Sequence, residues 1–125
     1  MLDPSIAAHH AFLRRALPAV QGLALKVARV HGAHDPRLWE LEDVVRELGE
    51  ILGPRLDGDE AAAELAALAE DHDVVGALLD RARAVTEGFH VPDWGCASYR
   101  ALGAQLAALD DDLQRCLRLE RELLG

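Results

Sequence analysis

The chain has 125 residues, half of them apolar and 28% charged, and 22 acidic side chains against 13 Lys and Arg give a formal net charge of −9. That length suffices for one domain with a buried core, and the acidity argues against nucleic acid and anionic membrane surfaces, which need a basic face. No apolar run approaches membrane-spanning length and no secretory signal opens the chain, so one cytoplasmic domain over residues 1–125 is expected.

Aromatic residues make up only 4% of the chain, so Leu, Val and Ala must build the core, and this Ala-, Leu-, Glu- and Arg-rich composition favours helix almost throughout. Asp3 and Pro4 form a cap-plus-proline start for a first helix predicted to reach His31, with Gly32 as its stop and a kink at Pro18. Asp35 and Pro36 repeat the signal for a second helix, which Gly53 and Pro54 should end, leaving 55–60 as a short loop. Asp57 and Glu60 resemble a capping box that opens a third helix, running to about Glu87 and stopped by Gly88. Residues 89–95 connect it to a fourth helix, capped by Asp93 and continuing to the C-terminus. There is no strand signal, and the expected fold is all-α, an up-down-up-down four-helix bundle.

Each helix carries an apolar stripe with 3-4 spacing, the mark of a face turned to a core. The stripes read Ile6, Leu13, Leu17, Val20, Ala24, Val27; Leu38, Leu41, Val45, Leu48, Leu52; Leu65, Leu68, Val75, Leu79, Ala82; and Leu102, Leu106, Leu109, Leu113. In an up-down bundle the start of helix one, the end of two, the start of three and the end of four share one end. Polar interruptions fall at that end: His10, then Arg55 and Asp59, then His72, then Cys116 and Glu120. Polar groups at a core position are costly unless paired or coordinated. Imidazoles and carboxylates projecting inward from several helices are also how such bundles bind paired metal ions.

The same residues carry a family resemblance. His9 and His10, Leu17-Pro18, the run from Lys26 to Gly32, the run from Asp71 to Leu79, Pro92 with Cys96 to Arg100, and Leu119-Glu120 resemble the hemerythrin-like domain of iron–sulfur cluster repair di-iron proteins. The likeness spans nearly the whole chain and is poor from Gly53 to Leu68; these residues include no counterpart of the family's N-terminal cysteine-bearing domain, which is therefore not expected here. It implies a hemerythrin-like fold, iron as the metal if any, and a role in nitric oxide or oxygen stress. The family holds two irons with four histidines and two bridging glutamates. On that pattern His10, His72 and Glu120 match ligands, Asp59 is a shortened carboxylate, Cys116 replaces a histidine, and Arg55 stands where another histidine is expected.

A guanidinium is always protonated and has no acceptor, so Arg55 cannot ligate a metal and would repel one. Three arrangements follow. Arg55 could reach the core and pair with Glu120 or Asp59 in place of the metal charge; it could be a solvated loop residue beyond a helix ending at Gly53; or it could point away and leave a single metal on His10, His72, Glu120 and Cys116. The expected function is a degenerate hemerythrin-like protein working through binding or regulation, the alternative being an iron-binding member of the repair class with a reduced ligand set. No acid–base pair or nucleophile suggests an ordinary enzyme.

Cys96 and Cys116, twenty residues apart on one helix, are about 30 Å apart and cannot form an intramolecular disulfide. Cys96 lies near the start of helix four, where the helix dipole can lower a thiol pKa, but no His or second Cys neighbours it in sequence to make it reactive. His31 with His34 is expected to decorate the first turn, His9 to face solvent or the bundle edge, and His90 to lie in a surface loop. Asp110-Asp111-Asp112 reads as a solvated face. Trp39 and Trp94 are expected either to cap the core under the far loops or to mark a homodimer patch; the expected partner, if any, is another protein.

Overall fold

The computed structural model describes the backbone of residues 4–57 and 61–124, and the side chains of residues 8–9, 11–53, 73–119 and 122. Four helices follow in order: α1 (Pro4–His31), α2 (Arg37–Asp57), α3 (Ala61–Val85) and α4 (Ala97–Leu124). α1 packs on α2 and α4, α2 on α3, and α3 on α4; neither diagonal pair packs together among the described residues. Side-chain links fix the antiparallel directions. His9 near the start of α1 meets Asp112 late in α4, His31 at the end of α1 meets Cys96 before α4, and Glu40 early in α2 meets Arg81 late in α3. The fold is thus an all-α, up-and-down four-helix bundle. No helix among the described residues is long and apolar enough to cross a membrane.

The stripes form the core. Leu13, Leu17, Val20, Ala24 and Val27 of α1 are buried, as are Leu38, Leu41, Val45, Leu48 and Leu52 of α2. Val75, Leu79 and Ala82 of α3 join them, with Leu102, Leu106, Leu109 and Leu113 of α4. Ala28, Val44, Leu78 and Leu117 widen the stripes to the broader apolar face a bundle helix needs. Ile6, Leu65 and Leu68 lie outside the described side chains. α1 continues through Pro18, which is exposed, where loss of one helix hydrogen bond costs least.

Helix ends depart from the expectations in three places. α2 does not stop at Gly53 and Pro54 but runs on to Asp57, so positions 55–57 are helix and not loop; the capping box of Asp57 and Glu60 lies outside the described side chains. Proline's fixed φ is itself helical, and near a C-terminus it removes a single N–H donor, too little to end the element. α3 closes at Val85 in a Schellman turn. Gly88 N–H donates to the Arg83 carbonyl at 2.8 Å and Glu87 N–H to the Ala84 carbonyl at 3.4 Å. The residue at the left-handed C′ position is therefore Glu87 (φ 52°), ahead of Gly88 (φ 79°) and Phe89 (φ 63°). Thr86 secures the turn by accepting from Phe89 N–H at 2.8 Å and donating to the Ala82 carbonyl at 2.7 Å.

The third departure is the start of α4. Asp93 sits inside a turn closed by Gly95 N–H donating to the Pro92 carbonyl, so it cannot cap; Cys96 directly precedes the helix and takes that place. At the other cap Asp35 behaves as expected, accepting from the backbone N–H and the guanidinium of Arg37. That bond to the Arg37 side chain, ahead of the backbone one, holds the Asp35 carboxyl below its usual range. Gly32 stops α1 for want of space rather than for a left-handed φ: a Cβ there would meet the Ala28 carbonyl and the Trp39 indole. Gly32→Ala is accordingly expected to lower unfolding free energy by about 1–3 kcal/mol through overpacking. Glu87→Gly should raise it by about 1 kcal/mol by relieving a left-handed non-glycine residue; urea unfolding of both variants measures the two effects.

Candidate metal centre

The end of the bundle at which α1 begins is where polar residues interrupt the stripes. His10 lies on α1, Arg55 on α2, His72 on α3 and Glu120 on α4, while their side chains lie outside those described; Asp59 lies outside the described residues altogether. The helical backbone at position 55 removes the arrangement in which α2 ends at Gly53 and Arg55 belongs to a loop. Cys116 is buried, at 3% exposure, on the core face of α4. Among the described residues no group of three His, Cys, Asp or Glu side chains is arranged to hold a metal ion.

What is visible at this end is a pair that the periodicity did not single out. His9 Nδ1 lies 2.7 Å from Asp112 Oδ1, with the two side chains only 17% and 20% exposed. His9 therefore takes the bundle-edge placement, as a partner of α4, rather than the solvent-facing one, and the acidic run is only partly solvated. Asp110 receives the Arg83 guanidinium at 2.9 Å, Asp111 is exposed with Arg115, and Asp112 is mostly enclosed. The other oxygen of Asp112, Oδ2, is buried with no hydrogen-bond partner among the described residues. One turn further along α4 comes Cys116. His9 lies four residues before Leu13, and Asp112 three after Leu109, so each borders its stripe; that spacing was the available signal.

The donor set does not fit a complete di-iron centre of the kind the resemblance implies. Of the six positions that the resemblance assigns, one is an arginine, Arg55, on helical backbone, and another is the buried thiol of Cys116. Asp112, a described carboxylate at this end, is engaged by His9.

At the opposite end, His31 is half-buried instead of decorating the surface, and its Nε2 lies 3.4 Å from Cys96 Sγ. Trp94 gathers the cluster, with ring centroids 5.3 Å from His31, 4.6 Å from His34 and 5.5 Å from Tyr99. Trp94 thus covers the end of α1, Trp39 packs on Gly32, and both stay partly exposed, at 42% and 43%. His90 is exposed, as its loop position suggested.

Fold and site together define a four-helix bundle with a polar, partly enclosed end. Over 95% of its length this chain is similar to the iron–sulfur cluster repair protein YtfE of Yersinia pestis (strains Pestoides F and Angola among them) and of Yersinia pseudotuberculosis. The identity is 31% over 133 residues, and the match covers 60% of each relative, so the chain spans about three fifths of the length of the curated relatives it matches. No protein-family model and no solved structure matches it.

The His9–Asp112 pair yields a prediction. His9→Ala leaves a mostly buried carboxylate without its partner and should cost about 1–3 kcal/mol in urea unfolding. The double variant with Asp112→Ala should cost less than the sum of the two single changes; additive costs would show that the pair does not act as a unit.

Proposed function

We propose that this chain is a single hemerythrin-like domain related to the iron–sulfur cluster repair proteins, with a metal pocket that has lost part of its ligand set. It acts through binding or regulation rather than through a complete di-iron centre. The observation that carries the reading is Cys116: a buried thiol on the core face of α4, at the position where the resemblance expects a histidine. Arg55 adds to it, because the helix that bears it extends past the expected break and a fixed positive charge disfavours a neighbouring cation. Arg55 pairing with Glu120 or Asp59 would supply the charge that the family obtains from metal.

A second reading is favoured by the similarity to proteins named for iron–sulfur cluster repair. In it one iron is held by a reduced set drawn from His10, His72, Glu120 and Asp59, with Cys116 as a soft ligand, and the chain serves the same stress-related class. Both readings concern a cytoplasmic protein with an unidentified protein partner or a second copy of itself.

Iron analysis and the absorption spectrum of protein from iron-supplied cells separate them. The first reading expects far fewer than two irons per chain, with His10→Ala and Glu120→Ala changing stability only. About one iron per chain, lost in those variants, would establish the second. Two irons with the charge-transfer absorption of a paired ferric centre would overturn the first. Arg55→His combined with Cys116→His is expected to raise iron binding above that of the unmodified chain.

A further inference from the structure

The end of the bundle away from the polar pocket brings together two groups that lie 65 residues apart in the chain. His31 is the last residue of α1, and its Nε2 is 3.4 Å from the sulfur of Cys96, the residue immediately before α4. Cys96 is exposed and directly precedes α4, so its thiol sits at the helix N-terminus, where the backbone at Tyr99 and Ser98 helps to lower it. His31 is held in place by ring contacts, with Trp94 at 5.3 Å and Tyr99 at 6.1 Å. An imidazole, helix N–H donors and open access to solvent are the three surroundings that make a thiol nucleophilic.

We propose that Cys96 is a reactive thiol that exchanges with small zwitterionic disulfides, His31 acting as the imidazole that orients it and takes its proton. The Cys96 thiolate attacks one sulfur of the disulfide. A new S–S bond forms at Cys96, the reagent's own S–S bond breaks, and the departing thiolate takes up a proton. Cys96 is oxidised and the small molecule is reduced to one thiol. The chain has only one other cysteine, Cys116, which is buried and about 30 Å further along the same helix at 1.5 Å per residue. It cannot resolve the adduct, so the product stays a mixed disulfide until an external thiol reverses it. Beside the pair, Trp94 and Tyr99 line a cleft of about 250 Å³ with Asp35, Arg37, Glu87 and His90. Charges of both signs on its walls suit a zwitterionic body.

The hydrogen bond from His31, then the backbone N–H of Tyr99, bring the Cys96 thiol down to about 7, against a smaller opposing effect of burial. A thiol with pKa near the ambient pH exchanges fastest, because a lower value would sacrifice nucleophilicity. The other titratable groups at this corner are His34, Asp35, Arg37, Glu87, His90 and Tyr99, the Tyr99 phenol being raised first by burial.

The test is to incubate the intact chain with glutathione disulfide between pH 5.5 and 9, following adduct by intact mass and locating it by peptide mapping. One adduct per chain is expected at Cys96, absent from Cys96→Ser, with a rate midpoint near pH 7. His31→Gln should move the midpoint towards the ordinary thiol value of about 8.5 and slow the reaction at pH 7 about three-fold, greater basicity offsetting part of the loss. His34→Gln should leave the midpoint in place. An ordinary midpoint in the unmodified chain, an adduct on Cys116, or no change in His31→Gln would overturn the proposal. Should His31→Gln fail to fold, comparison of the native chain with the same chain in urea decides instead. A native midpoint below the unfolded one supports the assignment, and equal midpoints refute it.

Discussion

Everything in this molecule depends on four aliphatic stripes closing on one another with almost no aromatic filler. Leu and Val side chains pack to near-crystalline density only if the helices stay in register, so the interior tolerates little that is polar. Polar residues are consequently pushed to the two ends, and each end handles them differently. At one, His9 and Asp112 satisfy each other at the rim of the core while one carboxylate oxygen remains without a described partner. At the other, rings hold a half-buried histidine beside a thiol that is open to water.

The division also accommodates the ligand losses that the proposed reading places at positions 55 and 116. Closing the core takes the stripes and the turns, and none of these requires a histidine at position 55 or 116. Cys116 is small, weakly polar and readily buried, so it fits the apolar face of α4 without a metal. Arg55 stands on helical backbone, because α2 continues to Asp57. Similarity of 31% to iron–sulfur cluster repair proteins is compatible with this, since a shared frame does not require a shared donor set.

Much of the frame was legible in the sequence because periodicity is a local signal. Every stripe residue from Leu13 to Val27, and from Leu102 to Leu113, is buried where the 3-4 spacing put it. Helix ends were harder, since punctuation residues act in context. Pro54 failed to stop α2, and Glu87, not Gly88, took the left-handed cap of α3. Asp93 lost the cap of α4 to Cys96 because a turn had already enclosed it. Which side chains pair at the two ends was not legible, although His9 and Asp112 each border a stripe. His9 with Asp112 joins positions 103 residues apart, and His31 with Cys96 joins positions 65 apart. Only the antiparallel packing of α1 on α4 makes them neighbours. Of the positions carried over from the family resemblance, Cys116 is described and buried, whereas His10, Arg55, Asp59, His72 and Glu120 lie outside the described side chains.

The placement of the two tryptophans has an optical consequence. Trp39 and Trp94 are the chain's only indoles, and both sit at the end of the bundle where α1 finishes, half in contact with solvent. Intrinsic fluorescence therefore watches one end of the molecule, while the polar end, with His9, Asp112 and Cys116, has no emitter of its own. Opening confined to that end would leave emission nearly unchanged while helical dichroism fell. Unfolding curves from the two signals would then separate, and their separation would locate the loss of structure.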